Sequence, residues 1–129
     1  MKGLIIKEKW INLIFSGAKC WEIRGGSTKI RGQIYLIQSG TKHIYGVAEL
    51  VDCIELDLNT YKNSKQKHCI DDCDELPYKK TYAWVIKNAK RLEHPMPYRH
   101  PNGAIIWVNI DDNPTLLENV KKLLLKFND

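Results

Sequence analysis

No stretch of the 129 residues stays apolar long enough to cross a bilayer, which takes about twenty consecutive residues. The opening run Met1–Lys2–Gly3–Leu4–Ile5–Ile6–Lys7 sets an apolar patch behind a basic residue. The patch stops at Lys7–Glu8–Lys9, short of what a secretory leader needs. A cytoplasmic protein with no membrane partner is therefore expected. Its four cysteines, Cys20, Cys53, Cys69 and Cys73, are expected to be reduced rather than paired. His68–Cys69 with Cys73 is the one metal-like cluster, and its C-x3-C spacing lacks a second Cys/His pair at zinc-finger distance. No metal and no cofactor is expected. The basic, glycine-rich run from Arg24 to Gly32 lacks the closing Gly-Lys-Ser/Thr of a P-loop, although Arg31 within it is free to touch phosphate. There is no internal repeat and no linker. One domain over 1–129 is predicted, with 111–129 as a helical extension, taken as a monomer and long enough to bury a core without staples.

What is present is unevenly charged. Residues 1–48 carry eight Lys/Arg against two Glu, and residues 76–110 carry six against one. Between them, residues 49–75 carry eight acids against three Lys. Folding that brings the two basic blocks together makes a cationic patch; the alternative is a mixed, solvated surface.

Hydrophobic spacing orders the elements. Gly3–Ile6 reads as a strand, and Trp10, Leu13 and Ile14 recur at helical spacing over 8–16, closed by Ser16–Gly17. Strands follow over 19–24, 33–40, 44–55, 81–92 and 104–110, with Gly46 marking a bulge or bend. Within 33–40, Ile34, Leu36 and Gln38 share one face, and Tyr35, Ile37 and Ser39 the other. Residues 57–81 lack periodicity beyond a brief helix capped by Asn59 or Thr60, and read as a lid or a surface excursion. The three prolines of 94–103 predict a rigid crossing rather than a strand. After Pro114 a last helix carries the stripe Leu116, Leu117, Val120, Leu123, Leu124 and Phe127, which docks on the sheet or serves a protein partner. The order predicts an α+β fold: a small mixed barrel of about five to six strands, with one helix after the first strand and one at the C-terminus.

Lys19–Cys20–Trp21–Glu22–Ile23–Arg24 stands out. Three charged side chains in six residues are unusual for a core strand and suggest the lip of a polar pocket. Strict alternation puts Lys19, Trp21 and Ile23 on one face and Cys20, Glu22 and Arg24 on the other. Trp10 is either core or pocket wall. The alternative to a binding site is an ion-pair network that only braces the barrel mouth.

These residues carry a resemblance. Lys9–Trp10, Leu13–Ile14, Ser16–Gly17–Ala18–Lys19, Glu22–Ile23–Arg24, Arg31–Gly32, Gly46–Val47–Ala48–Glu49–Leu50, Tyr82–Ala83–Trp84 and the tail Pro97–Trp107 together resemble the ASCH domain family of the PUA-like superfamily. The resemblance implies a PUA-like barrel that binds RNA or a nucleotide or nucleoside in a cleft by its first helix. The implied binding residues are Trp10, Lys19, Glu22, Arg24, Arg31, Ser39, Gly40, Tyr98 and His100. Lysine and arginine suit phosphate, a carboxylate suits a base amino group, and aromatic rings suit stacking. One bacterial branch of the family is an amidohydrolase on N4-acetylcytidine that uses a lysine, a threonine three residues later and a downstream acid. Lys19 matches the lysine, Glu22 stands at the threonine position, and Asp71 or Asp72 is placed to supply the acid, so Lys19, Glu22 and Asp72 are the catalytic candidates. Other relatives are proposed ribonucleases, for which His68, His94 and His100 offer acid–base pairs.

Overall fold

The computed structural model describes residues 1–127. Its elements are β1 (Lys2–Ile6), α1 (Glu8–Ser16), β2 (Trp21–Arg24), β3 (Gly32–Gln38), β4 (His43–Leu56), α2 (Leu58–Lys62), α3 (Lys65–His68), β5 (Thr81–Pro97), β6 (Trp107–Asn109) and α4 (Pro114–Phe127). One six-stranded sheet runs in the order β2-β5-β4-β3-β1-β6, antiparallel except for the parallel β1–β3 pair. The α+β class and the two expected helices hold, with α2 and α3 as two short additions. The ladder does not close into a barrel, because β2 and β6 remain its edges. Side chains bridge the gap instead. Arg24 of β2 donates to the Ile5 carbonyl of β1 at 2.8 Å, and Trp84 of β5 stacks on Trp107 of β6 with centroids 5.6 Å apart.

Alternation on β3 divides the interior as the spacing predicts. Ile34 and Leu36 join Leu4, Ile6, Ile11 and Trp84 in a core covered by α1. Tyr35 and Ile37 face the opposite way and pack with Leu116, Val120 and Leu123 of α4. The buried half of the α4 stripe therefore docks on the sheet, while Leu117 is exposed and Phe127 lies outside the described side chains. A third cluster of Trp21, Ile23, Leu56, Tyr61 and Ala83 fills the space under α2, whose N-cap is Asp57 rather than Asn59 or Thr60.

Two expectations change. The prolines of 94–97 do not end β5. Between Gly46↔Arg91 and Ile44↔Met96 the register slips, so that two steps along β4 match five along β5. The extra residues, Pro95 among them, are taken up by this irregularity, where a missing N–H costs the ladder nothing. Conversely, Ala104–Ile106 do not join the last strand, which is only Trp107–Asn109, and Ile105 and Ile106 are exposed.

Gly46 does sit at a register shift, and the reason is contact. A Cβ there would meet the Lys90 carbonyl oxygen and would lie 2.6 Å from the Phe15 ring. Phe15 of α1 packs, partly buried, against the core that Ile11 and Ile14 of the same helix enter. Gly46→Ala is expected to lower the unfolding free energy by about 1–3 kcal/mol through overpacking, measured by urea denaturation. A change no larger than that of an exposed control substitution would show that helix and strand part freely at this point.

Candidate functional site

The site begins where α1 ends. Gly17 takes a left-handed conformation at φ 85°, which closes the helix with its N–H on the Ile14 carbonyl. The next residues are held by backbone bonds from three directions: Lys19 N–H to Leu13, Cys20 N–H to Lys67, and Ile86 N–H to the Cys20 carbonyl. Strand geometry therefore starts only at Trp21. This corrects the alternation expected for Lys19. Instead of facing away from Glu22, its ammonium reaches the same pocket, 3.9 Å from Glu22 Oε1.

Along β2 the alternation holds. Trp21 and Ile23 enter the third cluster, and Glu22 points inward beside its cross-strand partner Trp84. Glu22 is 5 % exposed and Lys19 2 %. Glu22 Oε2 accepts from Arg24 Nε at 3.1 Å and from Arg24 Nη2 at 2.7 Å. Lys19 Nζ donates to the His68 carbonyl at 2.6 Å and stands 4.6 Å from the centroid of the Trp10 ring. Burial pulls the Lys19 pKa below the usual lysine value, with the Glu22 charge opposing that shift. The Arg24 guanidinium also lies over Trp84, 5.5 Å from its centroid.

These groups form the floor of a cleft of about 210 Å³, walled by Trp10, Ile70, Tyr78 and Ile105 and rimmed by Lys7 and Ser39. Drug-sized pockets span about 300–1,000 Å³. This one takes a single ring system. Of the sequence-predicted binding residues, Trp10, Lys19, Glu22, Arg24 and Ser39 come together here. Gly40, Tyr98 and His100 line a second hollow next to it. Arg31 does not join either. Its guanidinium is exposed and caps its own turn, donating to the Thr28 and Ile30 carbonyls. Asp72 is exposed and outside the cleft, and Asp71 pairs with Lys65 at 3.0 Å.

Sequence reasoning missed Tyr78 and Ile105. The only trace of Tyr78 was an aromatic residue in an otherwise polar, aperiodic run. Ile105 was hidden in a stretch that reads as strand.

His68 has a structural role. It is fully buried and stacked on Tyr61. Its Nε2 donates to the Tyr61 carbonyl at 2.8 Å, and its Nδ1 accepts from the Ile70 N–H at 3.0 Å. With both ring nitrogens engaged by backbone, it holds in place the carbonyl that receives Lys19. Burial lowers its pKa from the ordinary 6.5, so the ring is neutral.

A family model described as the ASCH domain matches residues 4–96. No curated protein matches the chain. Among solved structures, the ASCH protein from Zymomonas mobilis superposes with a TM-score of 0.67 at 14 % identity, covering 95 % of this chain and 94 % of that one. A tyrosine-to-phenylalanine mutant of the Zymomonas mobilis protein gives 0.65 at 15 % identity, covering 96 % of each chain. A serine-to-alanine mutant gives 0.61 at 16 %, covering 97 % of this chain and 94 % of that one.

The neutral His68 ring has a consequence for stability. The unfolded chain takes up a proton as the pH falls below about 6.5, before the buried ring does, so acidification favours unfolding until the folded ring is protonated too. The melting temperature is expected to drop between about pH 7 and pH 5, and to drop less in His68→Gln. An equal drop in both proteins would show that the imidazole is not what the acid attacks.

Proposed function

The chain belongs to the ASCH domain family, and from that premise we propose that it binds RNA or a nucleotide by seating one base in the cleft beside α1. ASCH domains are a PUA-like fold associated with RNA binding. The observation that carries the reading is the buried Glu22 carboxylate at the floor of an open, aromatic-walled cleft. A network that only braced the fold would be sealed by apolar cover. Here Tyr78 stays 47 % exposed and Ile105 77 % exposed around the opening.

The chemistry follows from the spare capacity of each group. Glu22 Oε2 is taken by Arg24, while Oε1 has, among the described residues, only the 3.9 Å ion pair and can accept a base amino group. Lys19 has donors left for a neighbouring ring or carbonyl acceptor. An exocyclic amine beside a ring acceptor is the pattern that adenine and cytosine both present. Tyr78 offers a stacking face, worth about 1–3 kcal/mol per base where such contacts have been measured. Lys7 supplies positive charge at the rim for phosphate.

A hydrolytic reading draws on the same lysine, whose burial shifts it toward the free amine that a base or nucleophile needs. With Asp72 outside the cleft, Glu22 is the acid left to serve it.

Anisotropy with a fluorescein-labelled random single-stranded RNA hexamer tests the binding reading. Affinity is expected to weaken as salt rises. It is expected to fall about tenfold or more in Lys19→Met, which leaves Glu22 paired with Arg24. Unchanged affinity in that variant would remove the cleft from the binding surface. Release of cytidine from N4-acetylcytidine, or cleavage of the RNA, by the same purified protein would make the site catalytic.

A further inference from the structure

A second hollow of about 220 Å³ adjoins the first, and the two share Ile5, Ser39 and Ile105 as common walls. Ile105 is the crest between them, and at 77 % exposure it is an aliphatic side chain that water covers and a ligand would shield. The polar groups of the second hollow have a fixed sense. The Ala104 carbonyl can only accept, so the 3.0 Å contact puts the proton on His100 Nε2. In the neutral ring Nδ1 is then an acceptor, and the Tyr98 hydroxyl, 2.7 Å away, must donate to it. Burial raises the Tyr98 pKa, which keeps the hydroxyl protonated. Tyr98 lines the hollow, and with its hydrogen committed to His100 its oxygen is left as an acceptor only. Lys42 adds an exposed ammonium on the same wall, and its backbone is held in the left-handed region at φ 56°. Among the described residues, the Ser39 hydroxyl on the shared wall takes no hydrogen-bond partner of its own.

We infer that the two hollows form one path for a ribonucleotide strand: a base in the first, the ribose of its neighbour in the second, and the linking phosphate near Ser39 and Lys42. Tyr98 is the residue that distinguishes RNA from DNA, because an acceptor-only oxygen matches the 2′-hydroxyl as donor and finds nothing on deoxyribose. The inference rests on the base-binding reading of the first cleft and extends it from a single nucleotide to a strand.

The test uses the full chain, anisotropy, and two fluorescein-labelled hexamer pools of random sequence, one RNA and one DNA. Unlabelled random dinucleotides and a mixture of the four ribonucleoside 5′-monophosphates serve as competitors. The wild type is expected to prefer RNA, and Tyr98→Phe is expected to shrink that preference about fivefold, the effect of losing one neutral hydrogen bond. Ribodinucleotides are expected to displace the RNA probe at lower concentration than the monophosphates do. Ile105→Ser, at a position too exposed to disturb folding, is expected to reduce that difference. An unchanged RNA-to-DNA ratio in Tyr98→Phe, or equal competition by monophosphates and dinucleotides, would overturn the second subsite. If Lys19→Met still weakens RNA binding in that case, the base-binding reading survives alone. Absence of any RNA binding by the wild type would remove both.

Discussion

A carboxylate taken out of water needs cations beside it, and much of this molecule is arranged to bring them to Glu22. The helix stop at Gly17 and the pinned backbone of Lys19 and Cys20 deliver the lysine, and the inward face of β2 delivers Glu22 and Arg24. Buried ion pairs seldom add net stability, because desolvation offsets much of the attraction. An apolar trio of the same volume would brace the sheet as well. What it could not do is present an unfilled acceptor and spare donors to a ring lying in the cleft. Losing Glu22 would leave the buried Lys19 ammonium without its carboxylate, and breaking a buried pair in this way costs about 3–5 kcal/mol.

The network also does mechanical work. Because the ladder stays open between β2 and β6, the two ends of the sheet meet through side chains. Arg24 is shared by both tasks: its Nε and Nη2 each donate to Glu22, and the second N–H of Nη2 reaches the Ile5 carbonyl across the gap. Next to it, Trp84 donates its indole N–H to the Gly26 carbonyl and stacks on Trp107. The cleft thus lies at the seam of the sheet, between walls contributed by elements far apart in sequence.

The parts of this arrangement that are local in sequence were legible from the sequence. The alternation over 33–38, the amphipathic pattern of α1 and the charged trio of 19–24 each follow from side-chain period and residue type. What sequence period does not encode is where a period starts. Lys19 was placed on the wrong face because the strand begins two residues later, and that start is set by bonds to Leu13, Lys67 and Ile86. The prolines of β5 misled for a similar reason: whether a missing N–H matters depends on what the partner strand offers opposite it. Tyr78 and Ile105 were invisible because an exposed apolar side chain takes its meaning from the hollow beside it, and that hollow exists only after folding. His68 was ambiguous in the same way. As a sequence feature it suggested acid–base or metal chemistry; in the fold, both of its nitrogens serve the backbone.

The placement of β1 has a further consequence. It lies between β3, its parallel partner, and β6, which arrives about a hundred residues later. Until β6 has been synthesised, one side of β1 offers unpaired N–H and C=O groups, and the carbonyl of Ile106 has not yet met the amide of Ile5. Such long-range closure makes for slow folding and leaves an edge open to strands of other chains. On the ribosome, the first strand made must wait for the last, and a nascent chain halted before residue 107 would hold a nearly complete sheet with an adhesive margin.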